Sequence, residues 1–262
     1  LFSFGWKILA SNLINTGYSG LYDLVVGGQF SVTQLGFVSQ GKKYPHALGN
    51  LMVGAIQPVM MSAVSKVQSD AAMVKRVTRR SLKMSSYLIM PIMTLFALVA
   101  EPIVRLLLGD QWLPCVWFLQ VYCFTNALIP MASANLSALC GIGRGDINLR
   151  LEIIKKAIGI AALCIGAFVF NDVYVLVSMA LVTSVISTFV NAHPNKRYIG
   201  YSYFEQLHDI GPGIALSVVS AAVAWPLSML MVPDIAQIML QAIVMAAVYL
   251  GLSKLFKVEA FT

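Results

Sequence analysis

The residues whose types and spacing could do chemistry lie in the first two apolar stretches of the chain. The first carries Lys7, Asn12, Asn15 and Asp23, and the second opens with SQGKKYPHALGN, residues 39–50, which includes Lys42, Lys43 and Asn50. Ionisable side chains inside membrane helices cost about 2.5–3.5 kcal/mol each on insertion scales, so they normally face a cavity or a partner. Asn12 and Asn15 are i,i+3 neighbours on one helix face. Lys43 lies about ten residues past the outer end of its helix, roughly 15 Å deep at ~1.5 Å per residue. That is too deep for outward snorkelling, whereas Lys7, near the opposite end, can snorkel. Pro45 follows and is expected to disrupt the helix there. A bent, cationic, mid-depth helix is the arrangement that transporters use to bind a solute. Two compatible readings of Lys43 stay open: a cation lining a cavity, and an internal ion pair with Asp23. For Asp23 itself structural pairing is the favoured reading.

That chemistry is binding rather than bond making. The sequence holds no GxSxG, Walker loop or HExxH, and no paired His/Asp set. His46, His193 and His208 are scattered, with His193 and His208 read as solvated side chains of a cytoplasmic loop. The four cysteines (Cys115, Cys123, Cys140, Cys164) lack metal-like spacing and read as buried thiols. No enzyme activity, cofactor or metal is expected.

The elements that hold these residues follow from composition. Of 262 residues, 58% are apolar and 11% charged, with net charge +7. Soluble domains average about 25% charged residues, so a soluble enzyme, an acidic disordered chain and a disulfide-rich module are excluded. The positive balance fits cytoplasmic loops of a membrane protein and not nucleic-acid binding. The charge-free stretches, each near the ~20 residues needed to span a bilayer, place eight transmembrane helices at 2–27, 34–64, 81–100, 113–140, 149–170, 173–191, 210–231 and 235–254. The runs are continuous rather than alternating, which excludes a β-barrel. The fold class is an all-α polytopic membrane bundle.

Charge asymmetry supports the spans. The loops at 28–33, 101–112, 171–172 and 232–234 hold one basic residue, Arg105. The intervening loops, their flanking helix ends and the tail hold Lys66, Lys75, Arg76, Arg79, Arg80 and Lys83, then Arg144, Arg150, Lys155 and Lys156, then Lys196 and Arg197, then Lys254 and Lys257. This alternation puts both termini in the cytoplasm. No signal-peptide pattern is present. The chain begins at Leu1 rather than Met and enters a helix at once, so it reads as a fragment or as numbered from its interior. Residues 66–83 form the longest cytoplasmic excursion, helical and basic, lying against anionic headgroups. Residues 101–112 form an amphipathic piece on the outer surface. Arg144-Gly145-Asp146 reads as a tight turn, with Gly143 and Gly145 allowing positive φ, and Glu152 and Lys156 are spaced to pair. Pro58, Pro91, Pro130, Pro212 and Pro226 also interrupt spans, and small residues four apart, such as Ser220 and Ala224, mark tight helix contacts.

The run from Phe4 to Asp70 resembles the start of the C-terminal lobe of bacterial polysaccharide flippases, the Wzx-type O-antigen and colanic-acid exporters of the MATE-like superfamily. The features that carry the resemblance are Asp23 before the Gly27-Gly28 helix end, Leu35-Gly36-Phe37 opening the next helix, and the Ser-x-x-Gln-x-Asp exit from Ser65 to Asp70. AEPIVRLLLGDQW (100–112) and GRGDINLRLEIIKK (143–156) look like this family too. The resemblance covers about residues 1–160, taken as the core of the lobe; 161–262 adds the remaining helices and a short tail. It implies 12 to 14 helices in two lobes around a central cavity, of which this chain supplies helices seven to fourteen and lacks the N-terminal lobe. It implies transport of a polyprenyl-diphosphate-linked oligosaccharide across the bacterial inner membrane. Lys42 and Lys43 would meet the diphosphate, and Asn12, Asn15, Asn50 and Gln57 the sugar. In related lipid II flippases an Arg lines the cavity on the corresponding second helix, and the matching position here is Lys43, which keeps the charge but loses the guanidinium fork. Polymerases or glycosyltransferases of the same pathway and anionic lipids are the implied partners. Two alternatives stay open: a MATE-like ion-coupled small-molecule exporter, which would use an acidic cavity, and a membrane-embedded glycosyl- or acyltransferase, which would need an acid or His cluster.

Overall fold

A computed structural model describes residues 2–230 and 232–256; the side chains of residues 2–5, 7 and 8 lie outside that description. The sequence expectations for Lys7 and Lys257 therefore fall outside the described residues. The described residues are helical, with no strand among them: α1 (Phe2–Gln29), α2 (Val32–Lys66), α3 (Ala71–Leu98), α4 (Ala100–Leu108), α5 (Val116–Ala127), α6 (Ile129–Gly141), α7 (Gly145–Cys164), α8 (Val173–Ile199), α9 (Tyr203–Ala224) and α10 (Asp234–Leu255). A 3₁₀ turn at Asp110–Cys115 leads into α5 and α6, which together make one span; a π turn at Ile165–Val169 extends α7, and a 3₁₀ turn at Trp225–Met229 extends α9.

Six of these segments are long and apolar enough to cross a membrane by length and composition: α2, α3, the α5–α6 unit, α8, α9 with its extension, and α10. The protein is thus a multi-pass membrane protein. The more polar α1 and α7 bring the expectation to eight, a count that length and composition do not by themselves confirm.

Caps mark where helices start. Ser31 Oγ accepts from the Gln34 amide, Asp70 from Ala72 and Met73, and Asp172 from Tyr174 and Val175, each satisfying a donor that the first helical turn leaves free. Ser202 and Glu205 form a reciprocal capping box on α9. These caps shorten two expected loops. Residues 71–83 are not a separate excursion but the first three turns of α3. The expected loop carrying His193 and His208 shrinks to Gly200–Ser202, closed by left-handed Gly200 (φ 66°), so both histidines sit in helices. Gly143 takes the positive φ (79°) expected of the 144–146 turn; Gly145 does not, and instead starts α7 as a buried residue.

Side-chain ties fix the two ends of the bundle. At the basic end Lys75 Nζ donates to Gly200 O (2.7 Å) and Glu205 (2.9 Å), Arg144 lies 4.7 Å from the Tyr198 ring, and Gly141 meets Val64. At the opposite end Gln29 donates to Asn171 (3.2 Å), and Arg105 joins α4 to Asp234 of α10 (3.2 Å). The amphipathic piece expected at 101–112 is α4, with Pro102 and Val104 buried and Leu106 and Leu107 exposed.

With lipid outside, helix association depends on close packing and internal hydrogen bonds. The buried face of α3 repeats every three or four residues through Val74, Thr78, Leu82, Ser85, Ile89, Met93 and Ala97. Its hydroxyls fold back on the preceding turn, Thr78 to Val74 O and Ser85 to Ser81 O, as do those of Ser217, Ser220 and Ser253. A fully buried amide network joins three helices: Asn135 and Gln206 exchange hydrogen bonds (2.7 and 2.9 Å), and Asn195 donates to Asn135 (2.7 Å). Such bonds contribute about 0.6–2 kcal/mol each in a membrane bundle.

Candidate functional site

The polar side chains of the first two helices lie on solvent-accessible faces of the bundle, and α2 carries the more polar one. Ser39, Lys43, His46, Asn50 and Gly54 are exposed and Gln57 is half-buried, a single stripe at helical spacing. The opposite face of α2 is packed. Gly41 is buried against α5, where a methyl group would sit 2.7 Å from Phe118 Cβ and 2.8 Å from the Leu119 nitrogen. Gly49 is equally tight against Ile129 and Asn126. Pro45 is buried on this packed side, and the helix runs unbroken from Val32 to Lys66 through both Pro45 and Pro58. The expected disruption at Pro45 is therefore not seen; the neighbouring helices hold α2 in shape, as they do for membrane prolines generally.

Lys42 and Lys43 separate in role because consecutive helical residues point about 100° apart. Lys42 turns toward α1, where its Nζ is 3.8 Å from Asp23 and 5.7 Å from the Tyr22 ring. Lys43 turns to the exposed stripe, with its Nζ 5.8 Å from the ring of adjacent Tyr44. The ion pair expected for Lys43 thus belongs to Lys42, a correction that follows from α1 lying on the Lys42 side of α2.

The remaining candidates divide. Asn50 and Gln57 share the Lys43 stripe, about 10 and 21 Å further along at ~1.5 Å per residue. Asn12 is exposed on α1, and Asn15, half-buried, donates back to Ser11 O (3.0 Å). Residues 12 and 23 are eleven apart, three helical turns, so Asn12 shares the Asp23 side of α1. The described contacts between α1 and α2, Gly27 with Leu35 and Asp23 with Lys42, lie at the end where the two helices join. Asn12 and Asn15 sit further along α1, and no described hydrogen bond links either to α2.

Four partners were not singled out from the sequence. His46 Nδ1 is 3.2 Å from Asn126 Oδ1, which ties the polar stripe to α5. The Tyr22 and Tyr122 hydroxyls meet at 3.3 Å in a buried pair beside Asp23. Lys156 of α7 stands 4.6 Å from the Tyr18 ring, and a methyl on Gly159 would sit 2.8 Å from the same Tyr18 hydroxyl, so α1 and α7 touch closely here. Glu152 pairs with Lys155, not with Lys156 as expected, which leaves Lys156 directed at α1. The spacing of Lys156 allowed a partner on either helix; only the packing of Gly159 on Tyr18 decides it. Among the described residues no group of three metal-binding side chains comes together.

The exposed surfaces of the other spans are apolar. Val182, Val185, Ile186 and Phe189 of α8, and Val218, Val219 and Val223 of α9, suit lipid. A search of solved structures finds the lipid II flippase MurJ in its inward closed conformation, with TM-score 0.76 over 96% of this chain and 52% of that one, at 14% identity. The chain has a MurJ-like flippase fold. The family described as "Polysaccharide biosynthesis protein" matches residues 1–117 of this flippase-like chain. Among curated proteins it is 24% identical over 179 residues to the lipopolysaccharide biosynthesis protein WzxC of Escherichia coli K12. It is 28% identical over 108 residues to an uncharacterized membrane protein in the cps region of Klebsiella pneumoniae. These alignments cover 67% and 41% of the chain. The chain spans only 36% and 22% of those relatives' lengths. Together they bear out the resemblance to Wzx-type flippases read from the sequence.

Proposed function

We propose that the protein containing this chain translocates a polyprenyl-diphosphate-linked oligosaccharide across the bacterial inner membrane during surface polysaccharide synthesis, and that this chain forms its C-terminal lobe. The observation that carries the reading is the contrast between helix faces. The exposed face of α2 presents Lys43, His46, Asn50 and Gln57 across the depth of the membrane, whereas the exposed faces of α8 and α9 are apolar. A mid-depth polar stripe is too costly to face lipid and suits a water-filled cavity shared with a second lobe.

The substrate has an acyl tail that lipid accepts and an anionic, hydroxyl-rich head that lipid rejects. Lys43 attracts the diphosphate, while Asn50, Gln57, Asn12 and Asn15 supply amides for sugar hydroxyls. Lys42 is held by Asp23 and brings α1 and α2 together beside the stripe. With both termini and the basic end in the cytoplasm, a negative interior favours outward movement of the anionic head by about 2.3 kcal/mol per charge per 100 mV. Pathway polymerases or glycosyltransferases are the proposed neighbours in the membrane. The likeness to the fold of a lipid II flippase favours transport over group transfer.

The discriminating experiment is a clean deletion assayed for both lipid-linked sugar and drug sensitivity. Accumulation of lipid-linked repeat units with unchanged drug resistance is the expected result. Raised drug sensitivity with normal surface polysaccharide would replace this reading with small-molecule export.

A further inference from the structure

His46 stands on the exposed stripe of α2, three residues past Lys43 and four before Asn50, about 4.5 Å and 6 Å along the axis. A neighbouring helix fixes its ring. Nδ1 lies 3.2 Å from Oδ1 of Asn126, and Asn126, 3% exposed, is itself held. Its amide nitrogen donates to Tyr122 O (2.7 Å) and lies 3.4 Å from Thr125 Oγ1. Turning that amide over would set its oxygen against the Tyr122 carbonyl oxygen, so Oδ1 must face His46. Gly49 makes room for the approach: a methyl there would sit 3.0 Å from Asn126 Oδ1 and 2.6 Å from Ile129.

A carboxamide oxygen only accepts, so His46 Nδ1 carries the hydrogen. Imidazole, with an ordinary pKa of about 6.5, is already mainly uncharged at neutral pH. In that form Nε2 is a bare acceptor, and no described residue bonds to it. The stripe is thereby graded in hydrogen-bond character. The Lys43 ammonium only donates, the Nε2 of neutral His46 only accepts, and the Asn50 amide does both. An ionised diphosphate offers acceptors and no donor, so it is favoured at Lys43 and repelled by the Nε2 lone pair. A hydroxyl or an amide N–H is favoured at His46 instead. That order along α2 matches a diphosphate bonded to a sugar, and it sets the register of the head group.

We propose that His46, held as an acceptor by Asn126, is a specificity-determining residue that takes a hydrogen bond from a hydroxyl or amide N–H of the sugar attached to the diphosphate. The role rests on the translocation reading above.

The test uses the intact protein purified in detergent and two probes. One is the lipid-linked repeat unit extracted from the deletion strain; the other is undecaprenyl diphosphate, which has the head charge but no sugar. The affinity of each is measured by titration. The wild type should bind the sugar-bearing lipid more tightly. His46→Asn keeps an amide donor for Asn126 but carries no acceptor as far out as Nε2. It should weaken binding of the sugar-bearing lipid about three- to tenfold, the loss of one neutral hydrogen bond, and leave undecaprenyl diphosphate unchanged. His46→Gln, whose amide oxygen reaches the Nε2 position, should recover the preference. Lys43→Ala should weaken both lipids alike. Wild-type preference in His46→Asn would overturn the proposal, as would an equal loss for both lipids, or a His46→Gln variant no better than His46→Asn. Equal affinity of the wild type for the two lipids would overturn the role of His46 alone. Failure of the wild type to bind either lipid would overturn the translocation reading and this role with it.

Discussion

Replacing Lys43 by alanine should stop transport without lowering the amount of protein. Lys43 is exposed, and its described contact is with the ring of adjacent Tyr44 at 5.8 Å. An exposed cation–π contact is worth about 0.5–1 kcal/mol, so the fold loses little, and membrane insertion becomes easier rather than harder. A charge-assisted hydrogen bond to a diphosphate is worth about 1.5–3 kcal/mol, or roughly 10- to 150-fold in affinity for the head group. Lys43→Arg should retain function, since cation and reach survive, and Lys43→Glu should be at least as damaging as alanine. The neighbouring Lys42→Ala removes the 3.8 Å partner of half-exposed Asp23 and should lower stability by no more than about 1 kcal/mol, since partly exposed pairs contribute little, with any loss relieved by adding Asp23→Ala. The assay is a deletion strain complemented with each variant, reading membrane abundance by immunoblot and surface polysaccharide by gel. Normal polysaccharide from Lys43→Ala at wild-type abundance would refute the reasoning, because the stripe would then not need its cation.

Other outcomes follow from packing and topology. Gly41→Val should reduce folded protein severely, since its first side-chain carbon would sit 2.7 Å from Phe118 Cβ; thermal stability in detergent measures it, with overpacking costing about 1–3 kcal/mol or more. Asn135→Leu should destabilise by about 1–3 kcal/mol, because buried Gln206 and Asn195 each lose a partner; the same melt reads it. Reporters placed after Asp70, Arg144 or Gly200 should read cytoplasmic and those after Gln29 or Asp172 external, and two reversals would defeat the proposed topology.

The sequence made the helical spans legible because charge gaps follow the bilayer's solvation rule closely. Loop lengths were less legible. The basic runs at 71–83 and 192–209 look like loops when charge alone is read, yet Asp70, Ser202 and Gly200 show where the turns lie. Lys43, Asn50 and Gln57 were legible as candidate residues, and their common face follows from helical periodicity. Which of Lys42 and Lys43 meets Asp23 was not, because that depends on which side α1 approaches α2. The contacts of His46, Tyr122 and Lys156 were missed for the same reason: their partners come from α5, α1 and α1, between residues 80 to 138 positions apart in the chain. Pro45 read as a break because the sequence does not reveal that α5 packs against that turn.

The most direct test of the central claim is the sidedness of the lipid-linked repeat unit. Inverted inner-membrane vesicles from the deletion strain, with and without the intact protein, can be probed with a membrane-impermeant lectin or glycosidase that reaches only the cytoplasmic leaflet. The account predicts that sugar stays accessible at that leaflet without the protein, becomes protected when the wild type is restored, and remains accessible with Lys43→Ala. Equal protection with and without the protein would contradict it.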